Sequence, residues 1–188
     1  HDIVSLSNIH RQSLYDGNDL GKSKVKIAKK KLKNINSGTK VNIFNFKLDK
    51  KNFEKIIKNY DYVVDGTDNF TAKFLINDLS LKYKKFLITG AISKFDGHIF
   101  TFDFNDKKKP CLRCFYQEET ISDDILNCEY EGILGTVAGI IGTMQANEVL
   151  KKILNIGQNL NGFILIVDLL NLSFRKVKLN KRKKCKCY

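Results

Sequence analysis

Two short apolar runs with an amphipathic run between them constrain the fold of this chain most strongly. Asp61–Asp65 (DYVVD) is followed by Gly66, which is typical of a buried strand that ends in a turn. Asn69–Tyr83 carries apolar residues at helical spacing, and Phe86–Thr89 (FLIT) is a second buried run. Strand, helix and strand in this order indicate a parallel pair joined by a crossover helix, so we predict an α/β fold.

The rest of the chain extends this pattern on both sides. Further helices are predicted at Lys22–Asn36, Lys51–Asn59 and Gly139–Ile156. Further strands are predicted at Val41–Phe46, His98–Phe104, Phe163–Val167 and Phe174–Leu179. The strong alternation after Gly90 favours antiparallel pairing there. We therefore expect a Rossmann-like, mostly parallel sheet flanked by helices, with a C-terminal antiparallel extension.

Size and composition favour one globular domain over residues 1–188. The chain has 188 residues, 43% of them hydrophobic, which is enough for one sizeable core. No run approaches the roughly 18 apolar residues of a membrane span. No signal peptide is visible, and we expect a cytoplasmic protein that is not bound to a membrane.

The formal net charge of +13 raises the question of an acidic partner such as nucleic acid. Only four of the 33 basic residues are arginines, and the lysines are spread over the whole chain. Arginine is the better reader of phosphates and base edges, because its planar fork makes paired hydrogen bonds. We do not expect a nucleic-acid partner, although a zinc-stabilised nucleic-acid-binding protein stays open as an alternative.

A polar turn, Asp65–Phe70 (DGTDNF), follows the first buried strand. Open α/β sheets bind ligands at the carboxyl ends of their strands. Asp68 is placed there to hold Mg²⁺ through a carboxylate oxygen. The alternative is that Thr67, Asp68 or Asn69 only caps the next helix, and the residues alone do not decide between the two.

A second polar cluster lies near the start of the chain. Asn8, Arg11 and Gln12 precede Gly21–Lys24, where Ser23 and Lys24 open a helix. A helix N-terminus offers free backbone N–H groups, and Arg11 and Lys24 would add the charge that a triphosphate needs. Taken singly, these side chains are equally consistent with a solvated surface.

Five cysteines are present, four of them in two close pairs. Cys111 and Cys114 form a C-x-x-C, and Cys185 and Cys187 form a C-x-C. Such pairs predict a tetrahedral zinc site that ties the C-terminus to the body, with unpaired or redox thiols as the alternative. Cys128 stands apart and is either catalytic or a small buried apolar residue.

Taken in order, these segments resemble the sulfur-carrier adenylyltransferases of the molybdopterin-synthase and thiamine pathways, relatives of the ubiquitin-activating enzymes. The matching motifs are D-x-V-x-x-S-N-x-x-R-Q at Asp2–Gln12, G-x-x-K at Gly21–Lys24, D-x-T-D-N-F at Asp65–Phe70, P-C-x-R-C at Pro110–Cys114, C-x-x-x-G-x-L-G at Cys128–Gly135 and G-x-x-Q-A-x-E at Gly142–Glu148. No single motif is decisive, but their collinear order over nearly the whole chain is specific.

The resemblance implies an activity and roles for these residues. Arg11 and Lys24 would contact ATP phosphates, Asn8 and Gln12 would line the nucleotide site, and Asp68 would bind Mg²⁺, with Asn69 as a further cofactor-binding residue. The reaction would join the C-terminal glycine of a small ubiquitin-like sulfur carrier, ending in Gly-Gly, to AMP. A homodimer is also implied. In some relatives the cysteine at position 128 links covalently to the carrier.

Some features depart from the family pattern. The family begins with a strand and a G-x-G-G-x-G loop that cradles ATP; neither is present in these residues, and the chain begins with His1. We expect an N-terminally truncated sequence. Lys73 stands where relatives usually carry arginine, and the final C-x-C replaces C-x-x-C. A catalytically incomplete relative that acts as a partner-binding subunit is therefore the second hypothesis, and a dinucleotide-dependent oxidoreductase lacks the G-x-G-x-x-G it would need.

Overall fold

The computed structural model describes residues 1–106, 108–116, 132–183 and 185. The chain divides into two compact units, His1–Leu48 and Asp49–Tyr188. The expectation of one domain over residues 1–188 stays a prediction. None of the helices in the described ranges is both long enough and apolar enough to cross a membrane.

The first unit is built from short helices. Its elements are α1 (Leu6–Ile9), a 3₁₀ turn (Gly17–Asp19) and α2 (Lys24–Ile35). The helix predicted at Lys22–Asn36 is confirmed by α2. The buried Asp19 carboxylate lies 2.7 Å from Lys31 Nζ, which ties the 3₁₀ turn to α2.

The prediction of a strand at Val41–Phe46 is wrong, because this segment has no regular secondary structure. Alternation of apolar and polar residues specifies which side chains share a face, but a strand also needs a neighbour for its backbone hydrogen bonds. None of the described residues 1–48 supplies such a neighbour. Near the start of the chain, Ile3 and Ser23 form an isolated antiparallel bridge.

The second unit carries a five-stranded sheet. Its helices are α3 (Lys50–Ile57), α4 (Phe70–Lys82), α5 (Leu112–Phe115) and α6 (Gly135–Leu154). Its strands, which are neighbours in chain order, are β1 (Tyr62–Asp65), β2 (Phe86–Ser93), β3 (Asp96–Asp103), β4 (Phe163–Asp168) and β5 (Ser173–Lys178). The elements predicted for this unit are confirmed, with bounds that agree within a few residues. The sequence did not indicate α5.

The sheet is mixed. β1 and β2 are parallel, with Tyr62 opposite Phe86 and Asp65 opposite Thr89, and α4 is the crossover between them. The remaining three pairs are antiparallel. The α/β class with an antiparallel extension is confirmed, but the parallel part of the described sheet is one strand pair, because residues 41–46 add no strand.

Two apolar layers cover the sheet. On one side, Val137 and Ile141 of α6 pack against Ile88, Ile99 and Val167. Side chains alternate along a strand, so Phe100 faces the other side, where its ring contacts Phe115 and Tyr116 at the end of α5. A Cβ on Gly97 would lie 2.4 Å from the Ile141 side chain, so this glycine lets α6 approach β3 closely.

Candidate functional site

In the first unit, backbone pairing holds Lys24 at the start of α2. Val4 N donates to Lys22 O at 2.9 Å, and Lys24 N donates to Asp2 O at 3.0 Å. This pairing brings the Asp2 carboxylate to the Lys24 ammonium, which donates a hydrogen bond to it and lowers the pKa of Asp2. The Lys24 side chain is only 16% exposed. A fixed positive charge therefore lies at the N-terminus of a 12-residue helix.

Three further predicted residues lie on or just after α1. Asn8 is buried, and its Oδ1 accepts a hydrogen bond from Ser5 N at 3.2 Å. Arg11 is half-buried, and its Nη1 donates to Ser7 O at 2.6 Å. In the described part of the chain, Gln12 Oε1 and Ser23 Oγ are buried without a hydrogen-bond partner. Buried oxygens without partners are groups that a ligand with donors and acceptors could satisfy, so this unit fits a polar ligand.

In the second unit, the turn after β1 separates a capping residue from an accessible carboxylate. Asn69 is the N-cap of α4, and its Oδ1 accepts from Ala72 N at 2.8 Å. Asp68 is exposed, and its Oδ1 accepts from Asn69 Nδ2 at 3.2 Å. The capping alternative therefore applies to Asn69. Asp68 presents its carboxylate to solvent just beyond the end of a strand, as a Mg²⁺ ligand would.

The buried carboxylate of Asp65, at the end of β1, is hydrogen-bonded to this turn. Its Oδ1 accepts from Thr67 N at 2.8 Å and from Thr67 Oγ1 at 2.7 Å. Its Oδ2 accepts from Lys73 Nζ at 3.1 Å and from Thr89 Oγ1. Lys73 is also buried and donates to Gly90 O at 2.6 Å. Four donors fill the acceptor sites of a carboxylate, so Asp65 is a structural group and Asp68 is the one available for a cation.

The backbone of Asp65 is held from α6. Gln145 is buried, and its Nε2 donates to Asp65 O at 2.8 Å. A Cβ on Gly90 would lie 2.8 Å from Gln145 Oε1, so only glycine leaves room for this side chain. The glycine at the end of the predicted strand and the glutamine of the G-x-x-Q-A-x-E motif therefore meet at one point.

Three cysteines form a second candidate site. The Sγ atoms of Cys111, Cys114 and Cys185 all lie within 4.8 Å of one another, and all three residues are buried. Cys111 Sγ is 3.9 Å from Cys114 Sγ and 3.5 Å from Cys185 Sγ. Thiolates bound to one zinc ion are about 3.8 Å apart, since each Zn–S bond is about 2.3 Å. Hydrogen bonding to Cys111 and burial raise the pKa of the Cys114 thiol, so proton loss would depend on a bound cation.

Helix α4 connects the turn to the cysteines. Its buried Asn77 accepts from Leu112 N at 3.0 Å, which fixes the start of α5. Asp78 receives two hydrogen bonds from Arg113, each 2.8 Å long. The Arg113 guanidinium also lies 4.3 Å from the centre of the Phe74 ring. The C-x-x-C segment is therefore anchored to the same helix whose N-terminus follows Asp68.

The structure places most of the predicted site residues. Asn8, Arg11, Gln12 and Lys24 lie in the first unit, Asp68 and Asn69 lie in the second, and three of the four predicted metal ligands form one cluster. Cys128 and Cys187 lie outside the described residues. Sequence reasoning missed the buried roles of Asp65, Lys73 and Gln145, although each stands in a motif or at a position that the sequence had marked.

The sequence is similar to known proteins over nearly its whole length. The model of the ThiF family matches residues 1–188. A probable molybdopterin-synthase adenylyltransferase of Porphyra purpurea is 42% identical over 180 residues, which are 95% of this chain and 47% of that protein. A sulfur carrier protein adenylyltransferase of Thermus thermophilus is 35% identical, with 98% of this chain and 69% of that protein covered. The chain spans about half the length of the first of these relatives.

The fold also matches solved structures. The crystal structure of E. coli MccB with ATP superposes with a TM-score of 0.82 at 18% identity. The match covers 99% of this chain and 56% of the MccB chain. At this identity the likeness shows a shared fold, which is the α/β fold predicted from the sequence.

Proposed function

This chain belongs to the ThiF family, and on that basis we propose that its protein adenylates the C-terminal glycine of a ubiquitin-like sulfur carrier with ATP. The relatives named as adenylyltransferases of molybdopterin synthase and of a sulfur carrier protein support this reaction and its substrate class. The observation that carries the proposal for this chain is the Asp68 carboxylate, which is exposed beyond β1 while its neighbour Asn69 caps the helix.

The proposed reaction is a single displacement at phosphorus. An oxygen of the carrier's terminal carboxylate forms a bond to the α-phosphorus of ATP, and the bond from that phosphorus to the bridging oxygen of pyrophosphate breaks. The products are an acyl-adenylate and pyrophosphate, and the displaced oxygen keeps the electron pair. No protein nucleophile takes part, so the side chains contribute by holding the reactants and neutralising charge.

We assign the side chains as follows. Arg11 and Lys24 contact the phosphates, and Asn8 and Gln12 line the nucleotide site. Asp68 would hold Mg²⁺, which would neutralise part of the charge of the triphosphate, and Asn69, the N-cap of α4, is a further cofactor-binding residue. Cys128 acts on the carrier after adenylation. These roles rest on the family resemblance, together with the fixed Lys24 ammonium, the Gln12 oxygen without a partner and the accessible Asp68 carboxylate.

For the cysteine cluster we propose structural zinc, bound by Cys111, Cys114, Cys185 and Cys187. The three described thiols support it, because their separations fit one tetrahedral ion and they are closed off from solvent. By resemblance, we further propose a cytoplasmic homodimer that serves molybdopterin or thiamine synthesis.

The test is ATP–pyrophosphate exchange by the whole protein as expressed from its gene. Exchange should require a carrier ending in Gly-Gly and should be lost with the same carrier lacking its last glycine. A folded protein that binds the carrier without any exchange would instead support the second hypothesis, a partner-binding subunit.

A further inference from the structure

A charged pair, Lys73 of α4 and Asp65 at the end of β1, is buried beside the turn that carries Asp68. Lys73 and Asp65 are each 1% exposed, and lysine is among the residues least often buried. Bringing both charges out of water is unfavourable before their attraction is counted, and apolar pairs of the same volume are commonly as stable. Stability alone is therefore a weak reason for this pair, and its position directly under the Asp68 turn offers another.

The two carboxylate oxygens of Asp65 accept hydrogen bonds from different partners. Oδ2 is held by Lys73 from α4 and by Thr89 from β2, so the carboxylate is clamped from two separate elements. Oδ1 receives both the backbone N–H and the hydroxyl of Thr67, the residue just before Asp68. The turn is thus attached to one oxygen, while the other oxygen fixes how the carboxylate is rotated.

Lys73 also contacts the neighbouring strand, β2. Its second hydrogen bond, to Gly90 O, fixes the ammonium against β2. Gln145 holds the backbone carbonyl of Asp65 from α6. β1, β2, α4 and α6 all attach at this point. Removing the Lys73 ammonium leaves Oδ2 with the Thr89 hydrogen bond, so the carboxylate that holds the turn is fixed less firmly.

We propose that Lys73 is a positioning residue for Asp68: through Asp65 it holds residues 66–69 in the conformation that presents the Asp68 carboxylate to a divalent cation. Lys73 itself touches neither the cation nor the reacting atoms. The part of this proposal that concerns Mg²⁺ rests on the proposed adenylation, whereas the part that concerns the turn rests on the contacts alone.

The first test is the Mg²⁺ requirement of carrier-dependent exchange in the whole protein. Lys73→Met should raise the Mg²⁺ concentration for half-maximal exchange about tenfold, as expected for losing one charge-assisted hydrogen bond. Lys73→Arg should restore most of this loss, because it returns the charge. The matched control is Lys82→Met on the same helix, where an exposed ion pair with Glu54 is lost and the Mg²⁺ requirement should not change.

The second test does not depend on activity. Hydrogen exchange at the Thr67 amide, which is bonded to Asp65, should become at least about tenfold faster in Lys73→Met and stay at the wild-type rate in Lys82→Met. If wild-type protein shows no pyrophosphate exchange, the proposed function fails, and the amide rate still decides the positioning role. A Lys73→Met protein that loses thermal stability but keeps both the wild-type amide rate and the wild-type Mg²⁺ requirement overturns the proposal.

Should Lys73→Met not fold, Thr67→Val decides the question. It leaves the Lys73–Asp65 pair intact and removes one attachment of the half-buried turn. We expect a Mg²⁺ requirement raised about threefold, because one of the two hydrogen bonds from Thr67 to the Asp65 carboxylate is lost while the amide bond remains. An unchanged Mg²⁺ requirement, measured in protein that exchanges pyrophosphate, contradicts the proposal. In protein that shows no pyrophosphate exchange, an unchanged hydrogen-exchange rate at the Asp68 amide contradicts the proposal instead.

Discussion

At the scale of single residues, the turn after β1 shows how far side-chain chemistry can be predicted. The motif Asp65–Phe70 placed a carboxylate at the end of a strand, but left the cap open among three residues. The hydrogen bond from Ala72 N to Asn69 Oδ1 decides it. Which of several adjacent cap-forming residues takes the cap depends on the exit angle of the chain, and composition alone does not contain that angle.

The buried Lys73 could not have been predicted from its own position. Lysines make up most of this chain's basic residues, and nearly all of those in the described ranges are at least partly exposed, so burial of any one of them is not expected. Its burial follows from two hydrogen bonds, to Asp65 Oδ2 at the end of β1 and to Gly90 O on β2, and neither partner is visible from the position of Lys73 in the sequence. The available signal was that the resembling family usually carries arginine at this position.

Glu148 of α6 offers a test of a buried carboxylate outside the candidate sites. Its Oε2 accepts from Thr101 Oγ1 and from Leu160 N, each at 2.8 Å, and from Asn159. Burial alone would raise the pKa of Glu148, but hydrogen bonds from Lys151, Leu160 N, Thr101 and Asn159 outweigh it and hold the pKa below the ordinary 4.5. The ionised form therefore stabilises the fold above about pH 4.5, and this contribution is lost as the pH falls through the lower folded-state pKa.

Glu148→Gln should lower the free energy of unfolding by about 2 kcal/mol at pH 7, because an amide cannot accept all of these hydrogen bonds. The difference between wild type and variant should shrink as the pH falls below 4.5. Urea unfolding at several pH values measures it. Glu54→Gln, which breaks an exposed pair with Lys82, is the matched control and should lose less. Equal losses in the two variants would contradict the prediction that the buried Glu148 network contributes more than the exposed pair.

At the scale of elements, hydrophobic periodicity predicted the structure correctly where helix packing and strand pairing agreed with it. α2, α3, α4 and α6 all lie where apolar spacing predicted a helix. Residues 41–46 alternate as a strand does and yet form none in the described structure. Helix α5 has four residues, too few for a period to be visible, and its position is set by Asn77 and Asp78 of α4.

The α5 segment also supplies a prediction about metal. Purified protein should contain about one zinc per chain, because the described thiols are spaced for one tetrahedral ion. Cys111→Ser should lose the metal and lower the melting temperature. Cys128→Ser, which removes a thiol outside the predicted set, should keep a full complement. Elemental analysis gives the content, and wild-type protein with less than about a tenth of a zinc per chain would contradict the assignment.

At the scale of the whole molecule, the fold class could be predicted but its proportions could not. Strand–helix–strand at residues 61–89 was enough to indicate an α/β protein. The number of parallel strands was overestimated, because alternation cannot show whether a neighbouring strand is present. The two described units also could not be separated from the sequence, since no change of composition marks Leu48.

Assembly is the second property at this scale. Leu150, Ile153 and Leu154 at the end of α6 are each more than half exposed, which is a large apolar surface for one helix end. Together with the family resemblance, this leads us to expect a homodimer. Light scattering on the whole protein at high micromolar concentration should give twice the chain mass, and a monomer at that concentration would contradict the prediction.

The most direct test of the account is carrier-dependent ATP–pyrophosphate exchange by Asp68→Ala. Asp68 caps no helix in the structure, so the variant should fold and melt as wild type does, while exchange falls by about two to three orders of magnitude. Asp61→Ala, at the opposite end of the same strand segment, is the control and should exchange normally. Near-normal exchange by Asp68→Ala, in protein whose wild type is active, would contradict the proposed chemistry at its centre.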